Sequence, residues 1–405
     1  MKILVLNSGS SSIKFQLFDS DGWRVLAAGV LSRISEPEGE LVLSWRDPAG
    51  VGQRRTLALP IDGHHQGLER LFQALAECQV LARVDELDAV GHRVVHGGEA
   101  FHCPVLIDEP VIDAIRSMIP LAPLHNPANL DGIEVARQLL PSVLQVAVFD
   151  TAFHQTMPPA AYRYALPERL YRDYQVRRYG FHGTSHRYVA GEAARLLKKP
   201  LDRCNLISLH LGNGASATAI RNGCSVDTSM GMTPLEGLVM GTRSGDIDPA
   251  IPFYLQRVAG MDNSQIESLL NRQSGLTGLC GANDMREIHQ RAGSGDEAAQ
   301  LALEVTGHRL KKYIGAYYAL LGSVDAVVFT GGIGENDAAL RAQVCEGLQG
   351  LGIQLDPVIN AEASREARFI SSSNSPVPVL VIPTDEELEI ARQTLSVLIG
   401  EKSSG

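Results

Sequence analysis

The sequence lacks the cysteine patterns that build disulfide frameworks or zinc sites. Its six cysteines are scattered and no two stand at CxxC spacing, so we expect reduced thiols in a cytosolic protein. No apolar run approaches the roughly 20 residues that span a bilayer. Only one lysine and four apolar residues precede the first polar stretch, which argues against a signal peptide. We therefore expect no membrane partner.

Positive charge is also scarce. The 405 residues include 36 Lys and Arg against 46 Asp and Glu, which gives a formal net charge of −10, and no dense basic patch occurs. Such a chain is a poor candidate for binding nucleic acid or an anionic membrane. An anionic ligand would have to be attracted locally, by a few placed cations and backbone N–H groups. The length predicts two domains, and the composition, 44% hydrophobic and 20% charged, is ordinary for a globular protein.

Two similar hairpins are the first feature that the sequence does contain. The segments VLNSGSSSIKFQLF (5–18) and LISLHLGNGASATAI (206–220) each predict a strand, a turn of Gly and small polar residues, and a second strand. Their likeness predicts two related halves, although hairpins with Gly turns are common. A third segment, AVVFTGGIGENDAALR (326–341), predicts a strand, a Gly-rich turn and a helix. Together these units indicate an α/β fold.

The apolar pattern predicts the other main elements. These are a helix around 68–75, a strand at 89–95, a helix at 127–140, a buried strand at 143–150, a strand at 377–382 and a helix at about 386–398. From the first hairpin to about residue 60 the sequence is polar and interrupted by Gly and Pro, and no element is predicted there.

The Gly-rich turns are candidate phosphate sites. Small residues let backbone N–H groups converge on an anion, and Lys14 adds a positive charge beside the first turn. This turn is not a Walker A motif, because the second Gly and the Ser or Thr after the Lys are missing and a strand follows. The helix after TGGIGEN would place a helix N-terminus near the ligand. Each turn alone could be a simple connection, but three in one chain favour a nucleotide site.

Four residues form a candidate catalytic set. Arg93 stands near the end of one predicted strand and Asp150 at the end of another, while His182 and Arg243 lie in Gly-containing turns. Ligands in α/β sheets collect at the carboxyl ends of strands, and such a set suits phosphoryl transfer. Arg93 could instead be a salt-bridged edge residue, and Asp150 could be a helix N-cap.

The histidines of HGTSH raise the question of zinc. His182 and His186 have the i, i+4 spacing of a metal pair, but the Glu of HExxH is missing and the Gly disfavours a helix. We therefore do not expect zinc. Five other histidines, His92, His96, His125, His154 and His210, are expected to be hydrogen-bonded structural residues, and the positions of His125 and His210 make these two the candidate exceptions.

Ten motifs, in order between residues 5 and 391, resemble those of the acetate kinase family. They are NSGSSSIKF, RVVHGGE, PLHNP, FDTAFH, RYGFHGTSH, HLGNGAS, DTSMGMTPLEGLVMGTRSGDIDP, NDMR, GGIGEN and TDEELEIA. The family belongs to the superfamily of sugar kinases, actin and heat-shock chaperone ATPases. The resemblance implies an α/β, two-domain, duplicated ribonuclease-H-like (actin-like ATPase) fold with the active site in the interdomain cleft.

The resemblance also implies domain bounds and an assembly. The first domain would comprise residues 1–150 and 385–405, with the first phosphate turn and the last helix. The second would comprise residues 151–384, bind the nucleotide and form a homodimer.

The implied activity is reversible, direct in-line transfer of the γ-phosphoryl group of ATP to acetate. The products would be acetyl phosphate and ADP, and the reaction would use Mg²⁺, for which Mn²⁺ can substitute. Propionate kinase shares nearly every motif, so it stays as an alternative. An actin- or chaperone-like ATPase is a second alternative, and a phosphoenzyme on a His or Glu is a third.

Site residues follow from the family motifs. The implied catalytic set is Arg93, Asp150, His182 and Arg243. The implied acyl-substrate residues are Arg93, Val95, Leu124, Phe181 and Pro234. The implied nucleotide residues are Lys14, His210, Leu211, Gly212, Asn213, Gly214, Asp284, Met285, Arg286, Gly331, Gly332, Ile333, Gly334 and Glu335. The implied metal-associated residues are Asn7 and Glu386.

Three positions depart from the family pattern. Met232, Ser244 and Asp385 stand where many members have Phe, Cys and Asn. Asp385 creates a run of three acidic residues, 385–387, which leaves open which of them serves the metal.

The implied substrate bears on the role of Asp150. A carboxylic acid with a pKa near 4 arrives ionised at pH 7, so no general base is needed. We expect Asp150 to orient Arg93 or a metal-bound water. The branched side chain of Val95 favours acetate over propionate.

Overall fold

The computed structural model describes residues 1–36, 38–47, 50–123 and 125–400. It divides into two compact units. Unit 1 comprises Met1–Phe153 together with the segment from Asp385 onward, and unit 2 comprises His154–Thr384.

Unit 1 is built on a mixed sheet. Its strands are β1 (Lys2–Ser8), β2 (Ser12–Asp19), β3 (Arg24–Ser32), β4 (Glu40–Arg46), β5 (Gly52–Ala58), β6 (Ala89–Val94), β7 (Val105–Leu106) and β8 (Leu144–Phe149). Its first helices are α1 (His64–Glu77), α2 (Glu109–Ser117) and α3 (Asn126–Leu139), with a 3₁₀ turn at Val84–Glu86. Over the described residues the strand order is β5-β4-β3-β2-β1-β6-β8-β7. β6 is parallel to β1 and β8, and the other neighbouring pairs are antiparallel.

Unit 2 has a second mixed sheet. Its strands are β9 (Leu206–Leu211), β10 (Ala215–Arg221), β11 (Cys224–Thr228), β12 (Ala326–Thr330), β13 (Arg368–Phe369) and β14 (Val379–Val381). Its helices are α4 (Pro159–Tyr162), α5 (Glu168–Tyr174), α6 (Gly183–Leu197), α7 (Ile251–Ala259), α8 (Asn263–Arg272), α9 (Gly275–Cys280), α10 (Met285–Gly293), α11 (Glu297–Leu321), α12 (Gly331–Asn336), α13 (Ala338–Cys345) and α14 (Pro357–Ala361). Further 3₁₀ turns lie at Ala152–Thr156, Leu201–Arg203 and Gln349–Leu351, and the last helix, α15 (Glu386–Leu398), belongs to unit 1.

The two sheets share the same five-strand core. In unit 1 the order is β3-β2-β1-β6-β8. The neighbours among β3, β2 and β1 are antiparallel, and β6 and β8 run parallel to β1. In unit 2 the order β11-β10-β9-β12-β14 repeats this arrangement. Each Gly-rich hairpin turn follows the central strand of its sheet, β1 or β9. The predicted duplication and the α/β two-domain fold are confirmed.

The strand β1 is buried on both faces. Leu4 and Leu6 pack in the cluster formed with α1 and α3, whereas Ile3 and Val5 pack in the cluster formed with α15. A strand covered by helices on both sides has an unbroken apolar sequence instead of an alternating one. Burial of each such side chain contributes roughly 1.5–3 kcal/mol, so the short run Ile-Leu-Val-Leu holds the helices on the sheet.

Gly91 lets α15 approach the sheet closely. A Cβ atom at this position of β6 would lie 2.3 Å from Oγ1 of Thr394 on α15. Only glycine leaves room for this approach. The contact matters for the site because α15 begins at Glu386.

The long predicted elements are confirmed. Their ends differ by at most two residues, except that α1 begins at His64, four residues before the start of the predicted pattern. The structure adds β3, β4 and β5, where no element was predicted. Most of β3 and all of β5 are exposed or half-buried, so these strands of the antiparallel meander carry little of the continuous apolar signal of a buried strand.

Two expectations about glycine were wrong. The GGIGEN segment is itself the short helix α12, and α6 begins within HGTSH at Gly183. Glycine weakens a helix interior, but at the first position the backbone N–H groups have no intrahelical partner in any case. At Gly331 the backbone φ is +76° and a Cβ would lie 2.7 Å from the carbonyl oxygen of Leu211, so glycine allows a sharp turn into α12.

Among the helices that the structure describes, none combines the length and the apolar character needed to cross a membrane.

Candidate active site

A buried ion pair lies at the carboxyl ends of two parallel strands in unit 1. Nε of Arg93 on β6 donates to Oδ2 of Asp150 at 3.0 Å, and Nη2 of Arg93 also donates to that oxygen. Asp150 directly follows β8, the parallel neighbour of β6, and its side chain is only 1% exposed. Because β6 lies between β1 and β8, Arg93 is not an edge residue.

Asn7 and Glu386 complete this cluster. Oδ1 of Asn7, near the end of β1, accepts a hydrogen bond from Nη1 of Arg93 at 3.3 Å. The carboxylate of Glu386, at the start of α15, lies 3.9 Å from Nε of Arg93. The structure thus brings together both predicted metal-associated residues and two of the four predicted catalytic residues. We call this group of Asn7, Arg93, Asp150 and Glu386 the arginine cluster.

The charges of the arginine cluster perturb one another. Burial acts against the charge of Arg93, but Asp150 and Glu386 outweigh it, so the pKa of Arg93 is raised. Burial raises the pKa of Glu386 to about 7, with Arg93 opposing the rise and Asp150 adding to it. Arg93 therefore stays charged within the arginine cluster. An additional positive charge nearby would stabilise the ionised form of the Glu386 carboxylate.

Asp385 has a structural task. Its Oδ1 accepts a hydrogen bond from the backbone N–H of Leu388 at 2.9 Å and so caps the N-terminus of α15. Of the three consecutive acidic residues, Glu386 is the one that contacts Arg93. This arrangement favours Glu386 as the carboxylate with a ligand-binding role.

The first Gly/Ser turn lies beside the arginine cluster. Lys14 on β2 is exposed and stands opposite Asn7 in the strand register, and its charge lowers the pKa of Glu386. The turn is held by a hydrogen bond from Gly9 N to Ser12 O and by a contact of 2.9 Å between Nε2 of His64 and the carbonyl oxygen of Gly9. His64 had no signal in the sequence because it lies 55 residues away on α1.

In unit 2, Arg243 and His182 converge on the second Gly-rich turn. A Cβ atom at Gly214 would lie 3.5 Å from both Nη1 of Arg243 and Nε2 of His182. Nη1 of Arg243 also donates to the carbonyl oxygen of Pro234 at 3.1 Å, and burial lowers the pKa of Arg243. Two nitrogen-containing groups, the guanidinium of Arg243 and the imidazole of His182, therefore lie next to the second Gly-rich turn.

His182 is held in an unusual backbone conformation. Its φ and ψ are 56° and 24°, in the left-handed region, directly before α6. Such a conformation costs a residue other than glycine of the order of 1–3 kcal/mol, so the surroundings must maintain it. The ring stacks on His210 with 4.3 Å between centroids, and Nδ1 hydrogen-bonds with Oγ of Ser216 at 2.9 Å.

A cavity of about 640 Å³ opens beside α10 and α12. Six of the predicted nucleotide residues line it, namely Asn213, Asp284, Met285, Arg286, Gly332 and Ile333. The volume is in the range of pockets that bind small organic ligands. Further lining residues had not been predicted, and they are Asn283, His289, Asn336, Asp337, Ala338 and Ala339.

Other predicted nucleotide residues lie close to this cavity. Leu211 and Gly212 line a small void together with Ile333 and Met285, two residues of the larger cavity. Oε1 of Glu335 accepts a hydrogen bond from the backbone N–H of Thr384 at 3.2 Å. Gly331 and Gly334 belong to α12 itself.

Known proteins match this chain over nearly its whole length. The model of the Acetokinase family matches residues 2–392. This chain belongs to the acetokinase family.

Individual members of the family are similar in sequence and in structure. The acetate kinase of Syntrophobacter fumaroxidans is 54% identical over 400 residues, which cover 98% of this chain and 97% of that protein. The structure of Porphyromonas gingivalis acetate kinase matches with a TM-score of 0.92 and 45% identity, covering 98% of this chain and 99% of that chain. A propionate kinase from Francisella tularensis matches with a TM-score of 0.90 and 44% identity, covering 97% and 98%.

The acyl-pocket residues predicted for this acetokinase-family chain are divided between the units. Val95 follows β6 in unit 1 and is buried, and its backbone N–H donates a hydrogen bond to Oδ1 of Asn129 at 3.0 Å. Phe181 and Pro234 belong to unit 2, where Phe181 is buried and the Pro234 carbonyl accepts from Arg243. Leu124, the fourth predicted residue, lies outside the described residues.

The donor atoms of the arginine cluster fit a hard divalent cation. Among the described residues no group of three His, Cys, Asp or Glu side chains could hold a metal ion. Asn7 and Glu386 offer an amide oxygen and a carboxylate, which are ligand types that Mg²⁺ accepts. A site with so few protein ligands suits a Mg²⁺ ion held chiefly by phosphate oxygens and water.

Proposed function

We propose that this chain catalyses the reversible transfer of the γ-phosphoryl group between ATP and acetate. The main support is the position of Arg93. Its guanidinium is held at the end of a sheet strand by the buried carboxylate of Asp150. An enzyme that only hydrolyses ATP has no need of a cation fixed to receive a carboxylate. The full-length similarity to proteins named acetate kinase supports the same assignment.

In the proposed reaction an oxygen of the acetate carboxylate attacks the γ-phosphorus. A new P–O bond forms to acetate as the bond to the β,γ-bridging oxygen breaks, and ADP leaves. Acetate is ionised at pH 7, so no proton has to be removed. Arg93 neutralises the incoming anion, and Asp150, which already accepts two hydrogen bonds from Arg93, orients it.

Arg243 and His182 are proposed to stabilise the phosphoryl group during transfer. Both face Gly214 at the second Gly-rich turn, next to the proposed nucleotide cavity that Asn213 lines. Charge spreads over the equatorial oxygens of the group in flight, and donors fixed in advance act on it without reorganisation.

Mg²⁺ is the proposed cofactor, and Asn7 and Glu386 would hold it. When bound, the ion would neutralise part of the polyphosphate charge, and Mn²⁺ would substitute for it. Asn7 contributes no charge of its own, so the site gains an oxygen ligand without adding a further anion beside Asp150 and Glu386.

We place the reaction in the cytosol, in keeping with six free cysteines.

A coupled trapping assay tests the proposal. Hydroxylamine converts acyl phosphates to hydroxamates, and we expect hydroxamate only when ATP, acetate and Mg²⁺ are all present. Phosphate release that does not depend on acetate would favour the alternative, an actin- or chaperone-like ATPase. Inversion at a chiral γ-phosphorus is expected for direct transfer, and retention would indicate a phosphoenzyme.

The preferred acid depends on the space around Val95. Propionate kinase is the alternative, and a protein of that name is among the structural neighbours. We expect Val95→Ala to raise the ratio of kcat/KM for propionate to that for acetate by about tenfold, because one methylene in an apolar pocket is worth about 1–3 kcal/mol. Steady-state kinetics with acetate, propionate and butyrate measure this ratio. An unchanged ratio would remove Val95 from the acyl pocket.

A homodimer is proposed to cover α7. None of the nine residues of this helix is buried, and its large apolar side chains Ile251, Phe253, Tyr254 and Val258 are 38% to 65% exposed. Exposed apolar surface of this kind marks an interaction site, and a second copy of the chain is the proposed occupant.

Charge placed on α7 tests the dimer. We expect Val258→Glu to convert the dimer to a monomer in light scattering coupled to size-exclusion chromatography. The matched control is Val358→Glu, because Val358 on α14 is also exposed, at 71%. A Val258→Glu protein that keeps the mass of the wild type would exclude α7 from the interface.

A further inference from the structure

His182 is the last member of a chain of hydrogen bonds that crosses the core of unit 2. Oγ of Ser208 on β9 lies 2.9 Å from Nδ1 of His186, and Nε2 of His186 lies 2.8 Å from Oγ of Ser216 on β10. The same Ser216 oxygen lies 2.9 Å from Nδ1 of His182. Ser208, His186 and Ser216 are fully buried. We call these three residues the serine–histidine relay.

The donor count restricts how protons are arranged in the relay. Each hydroxyl has a single hydrogen to donate, and a neutral imidazole has one N–H and one acceptor nitrogen. His186 is neutral, because burial, followed by the nearby His154 and His210, holds its pKa well below the usual range. The protons of the relay must therefore all point towards His182 or all point away from it.

The end of the relay decides between the two directions. If the protons pointed away from His182, His186 would donate to Ser208, and the Ser208 hydroxyl would need another acceptor. Within the part of the chain that the structure describes, the Ser208 hydroxyl has the ring of His186 as its hydrogen-bond partner. A buried hydroxyl without an acceptor costs about 1–3 kcal/mol, so the direction towards His182 is favoured. In that direction Ser208 donates to His186, His186 donates to Ser216, and Ser216 donates to Nδ1 of His182.

We propose that the serine–histidine relay keeps His182 in its neutral form with the proton on Nε2. Nε2 is the nitrogen that faces Gly214 together with Nη1 of Arg243. His182 would then donate a hydrogen bond to the transferred phosphoryl group without becoming an imidazolium ion. This proposal rests on the proposed phosphoryl transfer for its functional meaning, but the tautomer is a property of the protein alone.

Three titratable or charged side chains near His182 agree with a neutral ring. His186 lies on α6, which His182 directly precedes, His210 stacks on the ring from β9, and Arg243 faces the same glycine. A cation and two further imidazoles disfavour a second positive charge. Without the relay, deprotonation within the physiological pH range could remove the proton from either ring nitrogen of a histidine. With the relay, the proton stays on Nε2 of His182, so this donor is kept. Ser216 and His186 are thus positioning residues that act through His182.

Nitrogen-15 NMR of the histidine-labelled wild-type protein is the first test. At about pH 8, well above the ordinary pKa of a histidine, the His182 ring is expected to show a protonated Nε2 and an unprotonated Nδ1. The signals are assigned by their loss in His182→Gln. A proton on Nδ1, or on both nitrogens, would overturn the proposal. Because no substrate is present, this result does not depend on whether the proposed function is right.

Ser216→Ala supplies the kinetic test. We expect kcat to fall about tenfold near pH 8, less than the roughly 10²–10³ that loss of a whole transition-state donor costs. The loss should be smaller near pH 6, where protonation restores the Nε2–H group, and KM for ATP should change little. An equal loss at both pH values with an unchanged His182 tautomer would overturn the proposal.

Two further variants separate this effect from a general loss of stability. Ser208→Ala removes the donor at the far end of the relay and is expected to give a mixture of His182 tautomers. Ser229→Ala is the matched control, because Oγ of this buried serine accepts from the backbone N–H of Ala217, beside Ser216, without touching the relay. It should lower Tm but leave the pH profile of kcat unchanged. If Ser208→Ala retains the wild-type tautomer, the relay does not set the state of His182.

Discussion

Replacing Arg243 with alanine is expected to lower kcat by a factor of about 10²–10³ while KM for ATP changes little. The reason is geometric, because Nη1 of Arg243 faces Gly214 alongside Nε2 of His182 and is held there by the carbonyl of Pro234. A donor fixed at this point acts on the charge that develops during transfer. The ground-state nucleotide is expected to draw its affinity from the cavity lined by α10 and α12 instead.

The measurement is steady-state kinetics in both directions of the proposed reaction. Arg243→Lys should restore part of the activity, since a lysine keeps the charge but loses the planar pair of donors. Arg272→Ala is the matched control, because Arg272 is an exposed arginine at the end of α8 in the same unit. A large rise in KM for ATP with normal kcat would assign Arg243 to nucleotide binding and refute the role proposed here.

Replacing Arg93 with alanine is expected to lower kcat/KM for acetate by roughly two orders of magnitude. Hydrogen bonds to charged groups contribute about 1.5–3 kcal/mol each, and a guanidinium can make two to one carboxylate. Stability should fall as well, because the buried Asp150 loses its partner. Breaking a buried pair costs about 3–5 kcal/mol, and the partial exposure of Arg93, 21%, places the expected loss at the lower end.

A double-mutant cycle with Asp150→Asn separates orientation from direct catalysis. If Asp150 acts through Arg93, adding Asp150→Asn to Arg93→Ala should cost little further activity. Arg116→Ala is the matched control for unit 1, since the ion pairs of Arg116 with Asp113 and Glu134 are exposed. The same fractional loss from Asp150→Asn in both backgrounds would show an independent role for the aspartate.

Local chemistry made part of the site predictable. The turns around Gly9, Gly214 and Gly331 were found because close backbone approach to a ligand requires glycine and small residues in a short stretch of sequence. Arg93 and Asp150 were found because each stands at the end of an apolar strand, and parallel strands bring such ends together. Lys14, His182 and Arg243 were found because each stands in or beside a turn that contains glycine. The identities of the remaining site residues came from the resemblance to the family.

Helix caps were harder to foresee. The charge pattern of the sequence does not distinguish Asp385, Glu386 and Glu387. In the structure, the position and direction of α15 make Asp385 the helix cap and bring Glu386 to Arg93. The extent of the helices at Gly183 and Gly331 was mispredicted for a related reason. Propensity describes the interior of a helix, whereas these glycines begin one.

By itself the sequence determined the α/β class, the duplicated hairpins, the family and the chemical types gathered for phosphoryl transfer, because each of these is encoded in short stretches of neighbouring residues. Only the tertiary structure decided the contacts. Arg93 meets Asp150 across 57 positions, and His182 meets Ser216 across 34. These pairs depend on the pairing of strands that are distant in sequence and on burial that removes water from their hydrogen bonds. Burial also decides which way the hydrogen bonds of the serine–histidine relay run, because a buried hydroxyl needs an acceptor for its proton.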